Sequence, residues 1–470
     1  MFLRSRLGRV TRPHSVGARV AQAVGLSFVV LAVAVAFKPQ RLAARPADPT
    51  FAEDVAPILY KNCAGCHRPG GIGPFSVLDY DTVNAHVDQI RDAVDQGIMP
   101  PWHADGPHGV FSNDRRLSDA DRSTIVRWAD AGAKPGDMKD LPPQPDYPSK
   151  WTIGGGRPDL ILGMNEDFQV PASGTIDYQY FRIPTNLTED KWVQAIEIMP
   201  GAREVVHHVL VYAYVPPSPS AAPQTPPAAP AAGAPRPQPV FIFNRAEETT
   251  PPDPPRQDSL HAPPRPMGTL IASMAPGMST QVFPEGTALR LRAGTVLTFQ
   301  MHYTAHGHAM TDRTMIGFKF ANEMPEEEIH AAAFINGAFT LPAGAKDIPV
   351  TATLATGQPV RIWGLLPHTH LRGVRWHYEL QKPDGTSEVI LDVPHYDFNW
   401  QTYYMFATPL DLPAGSKIVS TAWYDNSTTN KHNPDPTKDV HWGDQTWEEM
   451  QYTGFLYTIP SRRLKPASGQ

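Results

Sequence analysis

The chain has 470 residues with 41 Lys and Arg against 47 Asp and Glu, a formal net charge of -6. That length holds about three domains, and the charge balance gives neither nucleic acid nor an anionic membrane surface a reason to bind. Cys63 and Cys66 are its only cysteines, which excludes a disulfide framework, and many of its 51 prolines fall in one segment.

Residues 1–45 read as an export signal or an N-terminal membrane anchor. Arg4, Arg6, Arg9, Arg12 and Arg19 stand there without an acid, ahead of the uncharged run 20–37. Ala34-Val35-Ala36 suits a signal peptidase, while the run itself is nearly long enough to span a bilayer. Either outcome puts the bulk of the chain in the periplasm or otherwise outside the cytoplasm. Thr50 and Glu53 then form a capping-box pattern before a short helix with Val55, Ile58 and Leu59 on one side. This helix leads into Cys63-Ala64-Gly65-Cys66-His67. Two thiols and an imidazole at this spacing suit covalent attachment of a haem c, each thiol adding to one vinyl group and His67 left for the iron. A dithiol redox motif is the competing reading. Val83, Val87, Ile90 and Val94 recur at helical spacing as far as Gly97. In the loop that follows, Met99 is the expected distal haem ligand, because a thioether opposite histidine raises the potential; His86 and His103 are its rivals. Ser118 opens a last helix bearing Ile125 and Trp128. Residues 50–135 as a whole resemble a class I-type monohaem cytochrome c, which implies an α-helical domain.

A linker is expected over 136–150, and beyond it the periodicity changes from helical to short strands. Glu204 to Tyr212 reads as a strand with adjacent histidines, His207 and His208. Neighbours on a regular strand point to opposite faces, so one metal takes both only where the strand bends or bulges. In Leu297 to Thr304, alternation sets Thr298, Gln300 and His302 opposite Leu297, Phe299 and Met301, which offers a third imidazole. Between these strands the segment 216–266 is dominated by Pro and Ala, with Val240-Phe241-Ile242-Phe243 as its one apolar run. It reads as a mostly extended, disordered insertion whose deletion leaves the core standing. The acidic run Glu326 to Glu328 reads as a solvated junction. Further on, Leu366-Pro367-His368-Thr369-His370 sets two histidines on one face of a strand, half a metal site. The stretch Asp392 to Tyr404, the strand Lys417 to Tyr424 and Trp442 to Tyr452 follow, with Met450 in the last.

Residues 151–460 resemble the copper type II, ascorbate-dependent monooxygenases, the family of peptidylglycine α-hydroxylating and dopamine β-monooxygenases. The resemblance rests on His207-His208, Met301-His302-Tyr303, His368-Thr369-His370 and Glu448-Glu449-Met450, in the family's order. It implies two antiparallel β-sandwich domains of jelly-roll type, at 151–328 and 329–462, facing each other across an open cleft. It further implies two copper ions: one held by His207, His208 and His302 for electron transfer, the other by His368, His370 and Met450, where dioxygen reacts. The implied activity is hydroxylation of a C–H bond of a small organic substrate with O2, drawing on an external electron donor, with the c-type haem as the route of entry. Leu366 stands where the peptide-amidating enzymes have a carboxylate-clamping arginine, and Tyr452 and Gly454 replace an asparagine and a tyrosine. A less anionic substrate is therefore expected. The competing expectations are a non-catalytic haem and copper electron-transfer protein and a carbohydrate- or partner-binding scaffold.

Overall fold

The computed structural model describes residues 48–69, 73–145, 151–217, 239–243, 267–275, 278 and 280–464. The expected export or anchor segment 1–45, the end of the linker 136–150 and most of the insertion 216–266 lie outside the described residues. Among the described residues, no helix is long and apolar enough to cross a membrane.

A separate α-helical cytochrome c domain followed by two separate sandwich domains is not what this sequence forms. Strands make up 39% of the chain and helices 13%, so the helical part is minor, and Pro49–Gln470 is a single compact unit. The reason lies in one strand, Glu327–Ile335. Its first residues pair in parallel with Thr287–Leu291, and its last ones pair antiparallel with Tyr452–Thr458. A nine-stranded sheet thereby runs without a break from the first half of the β region into the second. The junction expected to be solvated lies inside that sheet: Glu327 is buried, accepts from the Thr458 hydroxyl at 2.5 Å and pairs with Arg361 at 3.4 Å.

Two smaller sheets cover this long one. The first has the order Gln179–Pro184, Val296–Tyr303, Val206–Tyr214, Thr269–Met274. Leu297, Phe299 and Met301 turn inward from it as their alternation predicts, and Leu366, Tyr403 and Leu456 from the second half join the same core. The second, five-stranded, has the order Ser387–Val393, Gly373–Gln381, Lys417–Tyr424, Ile348–Thr356, Phe241–Phe243. Its last member lies in the segment expected to be disordered. Phe241–Phe243 pairs with Leu354, Ala355 and Thr356, and Phe241 is buried in the second core, which explains why the one apolar run in a Pro/Ala tract is there.

The helical residues form their own small core around Phe51, Leu59, Val83, Ile125 and Trp128. Phe51–Val55 is a π-turn, in which both Asp54 and Val55 donate to the Thr50 carbonyl at 3.1 and 3.2 Å. The wider turn brings Asp54 rather than Glu53 back to the Thr50 amide, at 2.7 Å, so the expected capping box is shifted by one residue. The single helix expected across Val83 to Val94 is interrupted at His86, giving Tyr80–Ala85 and Val87–Asp95. The Ser118 cap on Asp119–Asp130 forms as predicted, accepting from the Asp121 amide at 3.1 Å. Between Val87–Asp95 and Asp119–Asp130, Trp102 and Phe111 bury in the second β core against Tyr404. Amide bonds from Asp105 to Asp392 and from Ser112 to Met405, both 2.8 Å, tie this stretch to the strands flanking residues 394–403.

Candidate metal centre

His207, His208 and His302 come together because the strand pairing slips once. Residues from Val296 to His302 pair with Tyr214 back to His208, but the next residue, Tyr303, pairs with Val206. His207 is the extra residue of a β-bulge, which turns its ring toward the face that carries His208 and His302. The Nδ1 atoms of His207 and His302 each lie 3.3 Å from Nδ1 of His208, and ligand atoms of all three fall within 4.8 Å of one another. Two nitrogens bound to one first-row metal at about 2.0–2.1 Å and a near-tetrahedral angle stand about 3.3 Å apart, so the donor set fits a single ion. Burial keeps the three imidazoles neutral: it pushes His302 down to about 3, His208 well below the usual imidazole range and His207 below it as well. Neutral imidazole is the form that binds metal. The bulge is held from behind by Asp312, fully buried, which accepts from the Ala202 amide at 2.8 Å and from the Tyr303 hydroxyl at 2.9 Å.

The second set is built differently from the strand pair expected. The strand Val360–His368 ends at His368, and His370 lies beyond it. The rings are 5.2 Å apart at 80°. What fixes them is a ring of polar contacts that the sequence pattern does not reveal. His368 Nδ1 lies 2.6 Å from Gln401 Oε1, and His370 Nδ1 lies 3.1 Å from the Glu448 carbonyl. Each acceptor calls for an N–H on Nδ1 and leaves Nε2 as the metal-binding nitrogen. Glu449, buried at 0% exposure, accepts amides from His370 at 2.8 Å, Arg372 at 2.7 Å and Met450 at 3.1 Å. One carboxylate thus draws the two chain segments that carry His370 and Met450 together. Burial pushes it up to about 7, and those three amides pull it back. Burial also takes His368 down to about 4 and His370 well below the imidazole range.

His368, His370 and Met450 line a cavity of about 750 Å³ that His208 also lines. Its walls include Tyr178, Tyr180, Tyr212, Met274, Leu366 and Tyr452, and Asp444 is the one acid or base other than histidine among the described lining residues. The Ser273 hydroxyl, also in the wall, is buried with no hydrogen-bond partner among the described residues. His306, His308 and His441 are exposed and stand outside both sets. Sequence reasoning assigned no role to Phe398, Gln401 or Glu449, the last of them inside the Glu448-Glu449-Met450 motif. Nothing in their spacing marks them, since each acts on a histidine far away in the chain.

In the helical part, Cys63, Cys66 and His67 form one turn, with the amides of Cys66 and His67 donating to the Cys63 carbonyl at 3.1 and 3.0 Å. Burial, and next to it the Cys66 neighbour, pushes the Cys63 thiol up to about 12. His67 Nδ1 lies 3.2 Å from the Phe75 carbonyl, leaving Nε2 as the outward nitrogen, and a Cβ at Gly73 would stand 2.6 Å from Nδ1. Arg115 and Arg203, both half-buried, make no ion pair among the described residues and share Cys66 as an electrostatic neighbour. Phe75 lies between His67, at 5.0 Å, and His86, at 4.1 Å; Met99 is half-buried in the loop beyond.

No family model matches the chain, and no curated protein does. Among solved structures it is similar to the major capsid protein P2 of bacteriophage PM2, with a TM-score of 0.24 and 9% identity over 66% of this chain and 99% of that one. It is similar also to a two-domain protein of unknown function from Bacteroides fragilis, at 0.16 and 10% over 63% and 94%. Infectious bursal disease virus VP2 gives 0.17 and 10% over 64% and 72%. Likenesses this slight carry no argument about function.

Proposed function

We propose that this chain is an exported copper-dependent monooxygenase that hydroxylates a C–H bond of a small, uncharged, largely apolar molecule with O2. The observation that carries the reading is the convergence of three neutral imidazoles, with Nδ1 separations of 3.3 Å, beside a cavity walled by a second histidine pair and Met450. His207, His208 and His302 would hold one copper, and His368, His370 and Met450 the other. Copper is favoured over zinc because one set includes a soft thioether, which selects Cu(I). Bound there, the metals would supply one-electron storage and the activation of dioxygen. A haem c on Cys63, Cys66 and His67 would feed electrons from an external donor; Met99 stays the distal ligand of choice.

The chain's own residues account for the remainder. Leu366 and the aromatic wall exclude water and provide no cation for an anionic substrate. Gln401 and the Glu448 carbonyl hold the protons of His368 and His370 on Nδ1, so that both Nε2 atoms stay basic. The Ser273 hydroxyl is available to bind a polar group on the substrate. A pure electron-transfer role would leave a cavity of this size beside the second set unexplained.

The test is stoichiometry on exported protein, by metal analysis and the haem absorption band. Two coppers and one haem per chain are expected, with one copper lost in His302→Ala. One copper or none in the wild type refutes the two-centre reading.

A further inference from the structure

The resemblance implies two metal sets separated by an open cleft, yet one side chain touches both. Phe398, at 6% exposure, stacks on His207 with ring centroids 5.2 Å apart and an interplanar angle of 14°. The same ring lies 6.4 Å from His208, 6.4 Å from His368 and 6.1 Å from His370. Four of the five histidines proposed as ligands therefore pack on a single phenyl ring. The backbone of that residue is tied in as well. Gln401, whose Oε1 lies 2.6 Å from His368 Nδ1, donates through Nε2 to the Phe398 carbonyl at 2.9 Å. Asn399, between them, bonds back to Asp397 Oδ1 through its amide at 2.8 Å and its side chain at 2.9 Å, which fixes the turn of the loop.

We propose that the loop Phe398–Gln401 is a coupling element: it positions His207 of one set and His368 of the other through a single short stretch of chain, so that metal binding at one set changes the affinity of the other. The inference rests on the reading of both sets as metal sites. The physical ground is that a ligating imidazole is oriented by the group on its other nitrogen, and losing such a group typically costs about 10- to 100-fold in metal affinity. Here one loop supplies Gln401, which orients His368, and Phe398, which stacks on His207 and adjoins rings of both sets. In an interior packed like a crystal, a ring fixed by metal on one side limits the rings on the other. Filling either set freezes the loop and removes part of the ordering cost at its neighbour. Such a coupling is reciprocal, and its usual size is about 5- to 150-fold. Phe398, Asn399 and Gln401 are positioning residues in this scheme; none is a ligand.

The experiment uses the full chain stripped of metal and titrated with Cu(II) alone, followed by calorimetry and by electron paramagnetic resonance. In the wild type, affinity at His368/His370/Met450 with the triad filled is expected to exceed that in His302→Ala by about 5-fold or more. In a Phe398→Ala background this dependence on the triad disappears. Gln401→Leu shifts the copper hyperfine splitting of the second set, and Phe398→Leu, which keeps the bulk, retains most of the coupling and guards against simple misfolding. Equal affinity in wild type and His302→Ala, or undiminished coupling in Phe398→Ala, overturns the proposal while leaving the two metal sites standing. A wild type that binds no copper at all refutes the underlying reading and the proposal together.

Discussion

Replacing Glu449 with leucine tests whether one carboxylate assembles the second set. The change leaves the amides of His370, Arg372 and Met450, now bonded at 2.7–3.1 Å, without an acceptor in a fully buried site. An orphaned buried donor costs about 1–3 kcal/mol, so the three amides place the total at about 3 kcal/mol or more. Glu449→Gln keeps the shape and one good acceptor oxygen but sets an NH2 against a donor, for a loss of about 1–2 kcal/mol. Urea unfolding of the metal-free chain, followed by tryptophan fluorescence and far-UV circular dichroism, measures both. Since the lost bonds lie at His370 and Met450, copper affinity should fall chiefly at that set. A leucine variant within about 1 kcal/mol of wild type, or equal losses for leucine and glutamine, would refute the reasoning.

Three further outcomes are expected. In metal-free protein, burial holds His302 at about 3 and His368 at about 4, against about 6.5 in the unfolded chain. The unfolded state therefore takes up protons first as pH falls. Stability should be full above about pH 6.5 and decline below it, by at most about 1.4 kcal/mol per pH unit for each histidine, until the folded groups titrate; a flat profile between pH 6.5 and 4 in urea titrations would contradict this. Leu366→Arg, placed in the cavity wall, should weaken binding of uncharged aromatic probes at least tenfold and create binding of aryl carboxylates, both read by calorimetry; unchanged selectivity would show that the cavity is not the binding chamber. Gly73→Ala should displace His67, because the new Cβ would stand 2.6 Å from Nδ1 and 2.9 Å from Cα of that residue. Haem content per chain should fall accordingly, with the copper content unchanged.

The local features of this protein were legible in its sequence. The inward alternation of Leu297, Phe299 and Met301, the Ser118 cap, and the need for a bulge at His207-His208 all depend on residues within a few positions of one another, where backbone periodicity decides the outcome. The domain plan was not legible. Whether Glu327–Ile335 ends one sheet or joins two depends on pairing with Thr287–Leu291 and Tyr452–Thr458, and a charged strand sequence says nothing about its partners. The same holds for Phe398, Gln401 and Glu449, whose side chains matter only because folding brings residues 207, 368 and 370 beside them. Residue chemistry and spacing determined which side chains were available as ligands. Long-range contacts, strand pairing at the triad and loop hydrogen bonds at His368 and His370, decided which of them meet and how their rings are held, because contacts across hundreds of residues leave no periodic trace in the chain.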